Sequence, residues 1–230
     1  MFKRAAGTLR RGDYMDSGPT LTRRSRGEGE RPMKMRFFGD SYDLVKQILI
    51  RSLGVLGRWS VHPMFTDEAV SKDDASRFER FLGAELLSRE LLGRDRAEYM
   101  ALCRQAGHLF LDPDTGIRME HRPRHAERFV LASELAELAR ARLNSLTLVF
   151  DQSFRRGDRR KDLESKLRRL ANSKVSGFAY DSHACFFVIG RNPRLVSRAY
   201  GLICLTTGLP ENRFAWPTHA KREASAGGWI

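Results

Sequence analysis

SLTLVFDQSFRRGDRRKDLESKLRRLANSKVSGFAY, residues 145–180, decides how the rest of the chain is read. Ser145–Phe150 is a short apolar run of the kind buried on both faces of a sheet. Residues 158–172 follow, with Leu163, Leu167 and Leu170 at helical spacing, and GFAY then predicts another strand. Strand, helix and strand in close succession predict an α/β architecture.

The same alternation extends both ways. Upstream, MRFF (Met35–Phe38) reads as a first strand. A helix follows in SYDLVKQILIRSLGVLG, where Leu44, Val45, Ile48, Leu49 and Leu53 share a face. Trp59–Val61 reads as a strand. Asp73 or Asp74 is expected to cap a helix carrying Phe78, Phe81 and Leu82. Leu86–Leu87 reads as a short strand and Arg96–Gln105 as a helix. HLFLDPDTGIRM predicts a hairpin around a Pro-Asp-Thr-Gly turn, and ASELAELARAR a helix capped by Ser133. Downstream, ACFFVIG is a further strand. Asn192 caps a last helix with Pro193 at its first position, and Gly208 ends it. The expected fold is a single α/β domain over 33–216, a mixed, mainly parallel sheet covered by helices in Rossmann-like layering. A disordered basic tail is expected at 1–32 and a flexible one at 217–230.

Composition narrows the classes. Of 230 residues 41% are hydrophobic, enough for a core, yet no apolar run approaches the roughly 20 residues of a membrane span. The N-terminus lacks the apolar segment of a secretory signal, and its Asp13, Asp16, Glu28 and Glu30 spoil an amphipathic transit helix. Translation from Met33 or Met35 is the alternative reading of that tail. Cys103, Cys185 and Cys204 show no CxxC spacing and sit in apolar surroundings. They read as buried free thiols in a reducing cytoplasm.

The net charge of +13 is unevenly spread: 8 Lys and Arg against 4 Asp and Glu in 1–32, 18 against 17 in 33–150, and 15 against 7 in 151–230. One tail and one patch, Arg155 to Lys174, carry the basicity.

In open α/β sheets ligands bind outside the carboxyl ends of the strands, so polar residues there are the candidate site. Asp40, His62, Asp112, Asp151 and Asp181 with His183 each follow an apolar strand. Converging carboxylates hold Mg²⁺ or Mn²⁺, which activates water against a phosphodiester. On this reading Asp40, Asp151 and Asp181 are the metal ligands and His183 a general acid or base. Arg155, Arg156, Arg159, Arg160 and Arg168 grip phosphate. The alternative is that strands end in polar residues because the chain there meets solvent. The helix at 158–172 presents Arg159, Arg160, Lys161, Lys166, Arg168 and Arg169 on its polar side. It reads either as a nucleic-acid surface or as a solvated face with internal ion pairs. Lys46, three residues after Asp43, either reaches the strand ends or pairs with Asp43 on the surface.

Phe38-Gly39-Asp40-Ser41, a strand followed by Gly-Asp-Ser and a helix, resembles the first motif block of the GDSL (SGNH) hydrolases. The resemblance implies an esterase-like serine hydrolase with Ser41 as nucleophile and His183 as base, oriented by Asp181. Asp181-Ser182-His183 is one residue shorter than the family's Asp-x-x-His block. Gly190-Arg191-Asn192 is similar to its Gly-x-Asn-Asp block without the final Asp, and follows the histidine instead of preceding it.

Asp112-Pro113-Asp114-Thr115-Gly116 reads as a tight turn or as an acidic pair. His121 and His125 read as loop histidines, since Pro123 breaks a helix between them. No P-loop, GxGxxG, HExxH or kinase signature is present, so no nucleotide cofactor is indicated. The expected function is that of a phosphate- or nucleic-acid-directed protein, a metal-dependent nuclease or phosphohydrolase. The serine hydrolase is one alternative. The other is a non-catalytic module whose basic helix docks on nucleic acid or an acidic protein.

Overall fold

Apolar strands of four to six residues need partners on both edges and helices on both faces, and the chain supplies them by alternating the two. The computed structural model describes residues 38–66, 69–92, 96–119, 125–154 and 158–217. In chain order these hold α1 (Ser41–Leu53), β1 (Trp59–His62), α2 (Lys72–Leu82), β2 (Glu85–Leu86), α3 (Ala97–Gln105), β3 (His108–Leu111), β4 (Gly116–Arg118) and β5 (Phe129–Leu131). They continue with α4 (Ala132–Ala141), β6 (Leu146–Asp151), α5 (Arg159–Asn172), β7 (Ser176–Asp181), β8 (Cys185–Gly190), α6 (Pro193–Thr207) and β9 (Phe214–Ala215). Residues 35–37 of the strand expected at Met35–Phe38, residues 1–32 and 218–230 of the expected tails, the candidate start methionines, His121, Arg155 and Arg156 lie outside the described residues, and Phe38 lies in a turn.

The main sheet runs in the order β2-β1-β3-β6-β8-β7-β9. β1, β2, β3 and β6 are parallel, while β8 is antiparallel to both β6 and β7, and β9 to β7. The expected mixed, mainly parallel sheet is what the chain forms. β7 therefore points the same way as β6, and the ends of β1, β3, β6 and β7 lie along one edge.

Alternation along each strand divides the core into two layers. Phe110, Leu148, Phe186 and Val188 pack against α1, α2 and α6 through Leu49, Leu53, Leu82, Ala199 and Ile203. Leu109, Leu111, Val149, Phe187 and Ile189 pack against α3, α4 and α5 through Cys103, Leu135, Leu138, Leu163 and Leu167. Asp151, two residues past Val149, falls on this second face, whereas Phe150 falls on the first.

Three local expectations are corrected. His108–Gly116 does not turn into a hairpin. β3 is already bonded on both sides, to β1 and β6, so β4 leaves the sheet and pairs in parallel with β5. Ser71, and not Asp73 or Asp74, caps α2, its hydroxyl accepting the Asp74 N–H at 3.1 Å. Ser133 lies inside α4, where the Glu134 carboxylate closes the first turn by accepting the Leu131 N–H at 2.9 Å. The last helix follows the sequence: Asn192 accepts from the Arg194 and Leu195 N–H groups, and Gly208 stops it at φ +63°.

At the amino edge, His108 is a structural joint. Its Nδ1 accepts the Leu146 N–H at 3.0 Å, which leaves Nε2 to donate to the Leu56 carbonyl at 3.1 Å. Burial holds its pKa below the ordinary histidine value, against the Leu56 hydrogen bond, which favours the charged ring.

Candidate ligand cavity at the carboxyl edge

β1 leads to β2 on one side of itself, and the chain then returns to lay β3 on the other side. The strand order reverses between β1 and β3, and such a switch point opens a crevice at the carboxyl ends. A cavity of about 410 Å³ lies there. Pro63 and Phe65 beyond β1, Leu86 of β2, Asp112 and Asp114 beyond β3, and Phe150 and Gln152 at the end of β6 contribute to its lining. Phe38, Asp40, Tyr42, Asp43 and Lys46 close it from the start of α1, Phe78 from α2, and Arg128 from the turn before β5.

The chemistry of the cavity follows from where α1 begins. Asp40 is its N-cap, Oδ1 accepting the Tyr42 and Asp43 N–H groups at 2.8 and 3.0 Å. Asp43, Lys46, Leu49, Ile50 and Leu53 form the buried stripe of the helix. The stripe is apolar over the sheet and polar where it passes the strand ends. Lys46 Nζ donates to Asp43 Oδ1 at 3.0 Å and to Asp112 Oδ2 at 2.9 Å, and stands 4.8 Å from the centre of the Phe150 ring. Burial disfavours the ammonium, but the two carboxylates outweigh it and the Lys46 pKa ends above the usual lysine value. Asp43 Oδ2 also accepts the Gly39 N–H at 2.9 Å. Asp114 accepts from the Thr66 hydroxyl and lies 3.9 Å from the Arg128 guanidinium. Four carboxylates thus face two cations across a cavity with a wall of phenylalanine rings.

On the opposite face of the sheet the end of β6 is closed in by protein. Asp151 is fully buried. Its Oδ1 accepts from the Ile117 N–H (3.1 Å), the Ser153 N–H (2.9 Å) and the Ser153 hydroxyl (2.6 Å), and its Oδ2 from Lys166 Nζ (2.6 Å). Lys166 adds bonds to the Ser153 carbonyl and hydroxyl at 3.0 and 2.9 Å. Gly116 is required here: at φ +129° it brings β4 so close that a Cβ would lie 2.0 Å from Asp151 Oδ1. Lys166 belongs to the buried stripe of α5 with Leu163, Leu167 and Leu170, not to its polar side.

The residues expected to share a metal ion do not converge. Asp151 and Asp181 both face Cys185 across β8, two strand spacings apart, about 9.5 Å. Asp181 is 3.1 Å from the Arg159 guanidinium, and Asp40 lies on the other face. Among the described residues no group of three or more His, Cys, Asp and Glu is placed to hold one ion. Among the described residues Asp40, Asp151 and Asp181 therefore do not fit a shared Mg²⁺ or Mn²⁺.

The serine-hydrolase blocks are likewise dispersed. Ser41 is exposed at the first position of α1, and the His183 ring is exposed at the β7–β8 turn. Among the described residues no hydrogen bond joins Ser41, Asp181 and the His183 ring to one another. Asn192 caps α6 beyond the far end of β8, at the amino edge of the parallel strands.

The basic helix spends much of its charge on its own fold. Arg159 donates to the His183 carbonyl and to Cys185 Sγ, and Arg160 to the Asn212 and Phe214 carbonyls. Arg169 reaches the Met119 carbonyl at 3.2 Å. Arg168 is exposed. Cys185 is buried, and burial raises its thiol to about 12 despite the Arg159 hydrogen bond, so it is no nucleophile. Cys103 is also buried and free, whereas Cys204 is only half-buried.

Sequence reading picked out Asp40 and Asp112 and placed Lys46 within reach. It offered Asp114 only as one half of an acidic pair with Asp112, and it missed Thr66, Arg128 and the phenylalanine wall. The available signal lies in HLFLDPD, an apolar strand that ends in an acid like the others although its Pro-Asp-Thr-Gly sequence also suits a hairpin turn. Fold and cavity together define an α/β domain with an open crevice at its switch point. No known protein family, curated protein or solved structure matches this chain. Among the described residues no helix is long and apolar enough to cross a membrane.

Proposed function

We propose that the protein acts on nucleotides or nucleic acid, and that the cavity between β1 and β3 receives the nucleoside part of the ligand. The observation that supports this is the pairing of an aromatic wall with an acceptor-rich floor at the switch point of an open α/β sheet. Flat bases pack on phenylalanine faces, and carboxylates at strand ends accept hydrogen bonds from ribose hydroxyls. Four carboxylates against two cations disfavour a phosphate inside the cavity. A phosphate therefore stays at the rim, on the side of Arg128.

The test is a thermal-shift and calorimetric titration with nucleosides, nucleotides and a short single-stranded oligonucleotide, with and without Mg²⁺ or Mn²⁺. The expected result is saturable binding that Phe150→Ala and Asp112→Asn each weaken, with hydrolysis products scored in the same samples. Absence of binding by every one of these ligands to the folded protein overturns the proposal.

A further inference from the structure

The lining of the cavity between β1 and β3 is not balanced in charge. Asp40, Asp43, Asp112 and Asp114 face Lys46 and Arg128, which leaves two negative charges in excess. In a partly enclosed space such an excess attracts a cation more strongly than it would in open water. The rings of the cavity wall already hold cations. Lys46 Nζ stands 4.8 Å from the centre of the Phe150 ring, and the Arg77 guanidinium 5.7 Å from that of Phe38. Both distances are those at which a ring face attracts positive charge. Tyr42 and Phe78 also line the cavity, and among the described residues no cation stands over either ring.

Asp40 completes the arrangement. It caps α1 through Oδ1 alone, and among the described residues its Oδ2 takes part in no hydrogen bond or ion pair. An acceptor at the lining is thus left for a ligand. A neutral base covers the rings but leaves the excess charge unbalanced, and an aliphatic ammonium balances charge but leaves the rings bare. A flat cation does both. We propose, resting on the nucleoside reading above, that the base received here is a positively charged, N-alkylated one. Its face packs on the aromatic wall and its charge is matched by the carboxylates, Asp40 among them.

Calorimetric titration of the full chain with two pairs of nucleosides tests this. N1-methyladenosine and N6-methyladenosine are isomers, of which only the first is charged near neutral pH; 7-methylguanosine and guanosine form the second pair. The expected result is that the charged member of a pair binds about tenfold more tightly, with a margin that narrows as salt is added. Asp40→Asn removes one charge yet keeps the cap of α1, because an amide oxygen accepts the same N–H groups. It should cut the margin several-fold with an unchanged circular-dichroism spectrum. Equal or weaker binding of the charged member in both pairs overturns the inference and leaves the nucleoside reading standing. Binding by none of the four overturns both. A margin that Asp40→Asn leaves unchanged overturns the part assigned to Asp40.

Discussion

Two lysines of this protein are buried against strand-end aspartates, one on each face of the same sheet edge, and they do different things. Lys166 and Asp151 are enclosed: backbone N–H groups, a serine hydroxyl and the close approach of Gly116 use up the carboxylate, and β4 covers it. Lys46, with Asp43 and Asp112, borders a cavity of about 410 Å³. The ion pairs themselves are alike in residue type and distance. What separates a fastener from a candidate binding site is whether chain or open space lies above the pair. A buried ion pair is therefore weak grounds for a functional assignment until its surroundings are known.

The largest expected effect tests the enclosed pair. Asp151→Ala leaves the Lys166 ammonium buried without its carboxylate, a loss of about 3–5 kcal/mol. Urea denaturation should show it, with no dependence on Mg²⁺ or Mn²⁺. A metal-dependent stability lost on this substitution would reinstate Asp151 as a ligand.

Lys46→Met should cost less, about 1–2 kcal/mol, because water in the cavity can solvate Asp43 and Asp112. Its main effect falls on ligand affinity, at about tenfold or more. Equal destabilisation by Lys46→Met and Asp151→Ala would erase the contrast between the two regions.

His108 supplies a third case, an ionisable group buried without an opposite charge. Its pKa is lower folded than unfolded, so the unfolded chain binds the proton first as pH falls. The stability it contributes is complete above the unfolded value, about 6.5, and is lost below it until the folded value is passed. The slope from this one group is at most about 1.4 kcal/mol per pH unit. Denaturation midpoints between neutral and mildly acidic pH check it, and His108→Gln should flatten the curve.

The smallest effect is a control remote from both lysines. Asn192→Ala removes the cap of α6 and should cost about 1 kcal/mol, with ligand affinity unchanged.

Much of the fold was legible because local patterns and tertiary demands agree. The run SLTLVF, the leucines of α5 and the Asn192-Pro193…Gly208 punctuation lead to the elements found. The misreadings came where neighbours in space overrode neighbours in sequence. DPDTG has the residues of a hairpin turn, but β3 had no free edge to offer. Ser133 has a capping side chain, but Glu134 occupies its place. Lys166 looks like one more cation of a basic helix, although its i−3 and i+4 neighbours are the buried Leu163 and Leu170.

By itself the sequence determined the α/β class, the alternation of strand and helix, and the fact that acids stand at the strand ends. These depend on periodicities of two and 3.6 residues and on local capping chemistry, which act over a few residues. Only the tertiary structure decided which acids meet. Strand order placed Asp112 beside Lys46 at the switch point, and strand phase sent Phe150 to the cavity face and Asp151 to the opposite one. A single residue of phase reverses the face a side chain occupies, and no local pattern records which strand lies beside which.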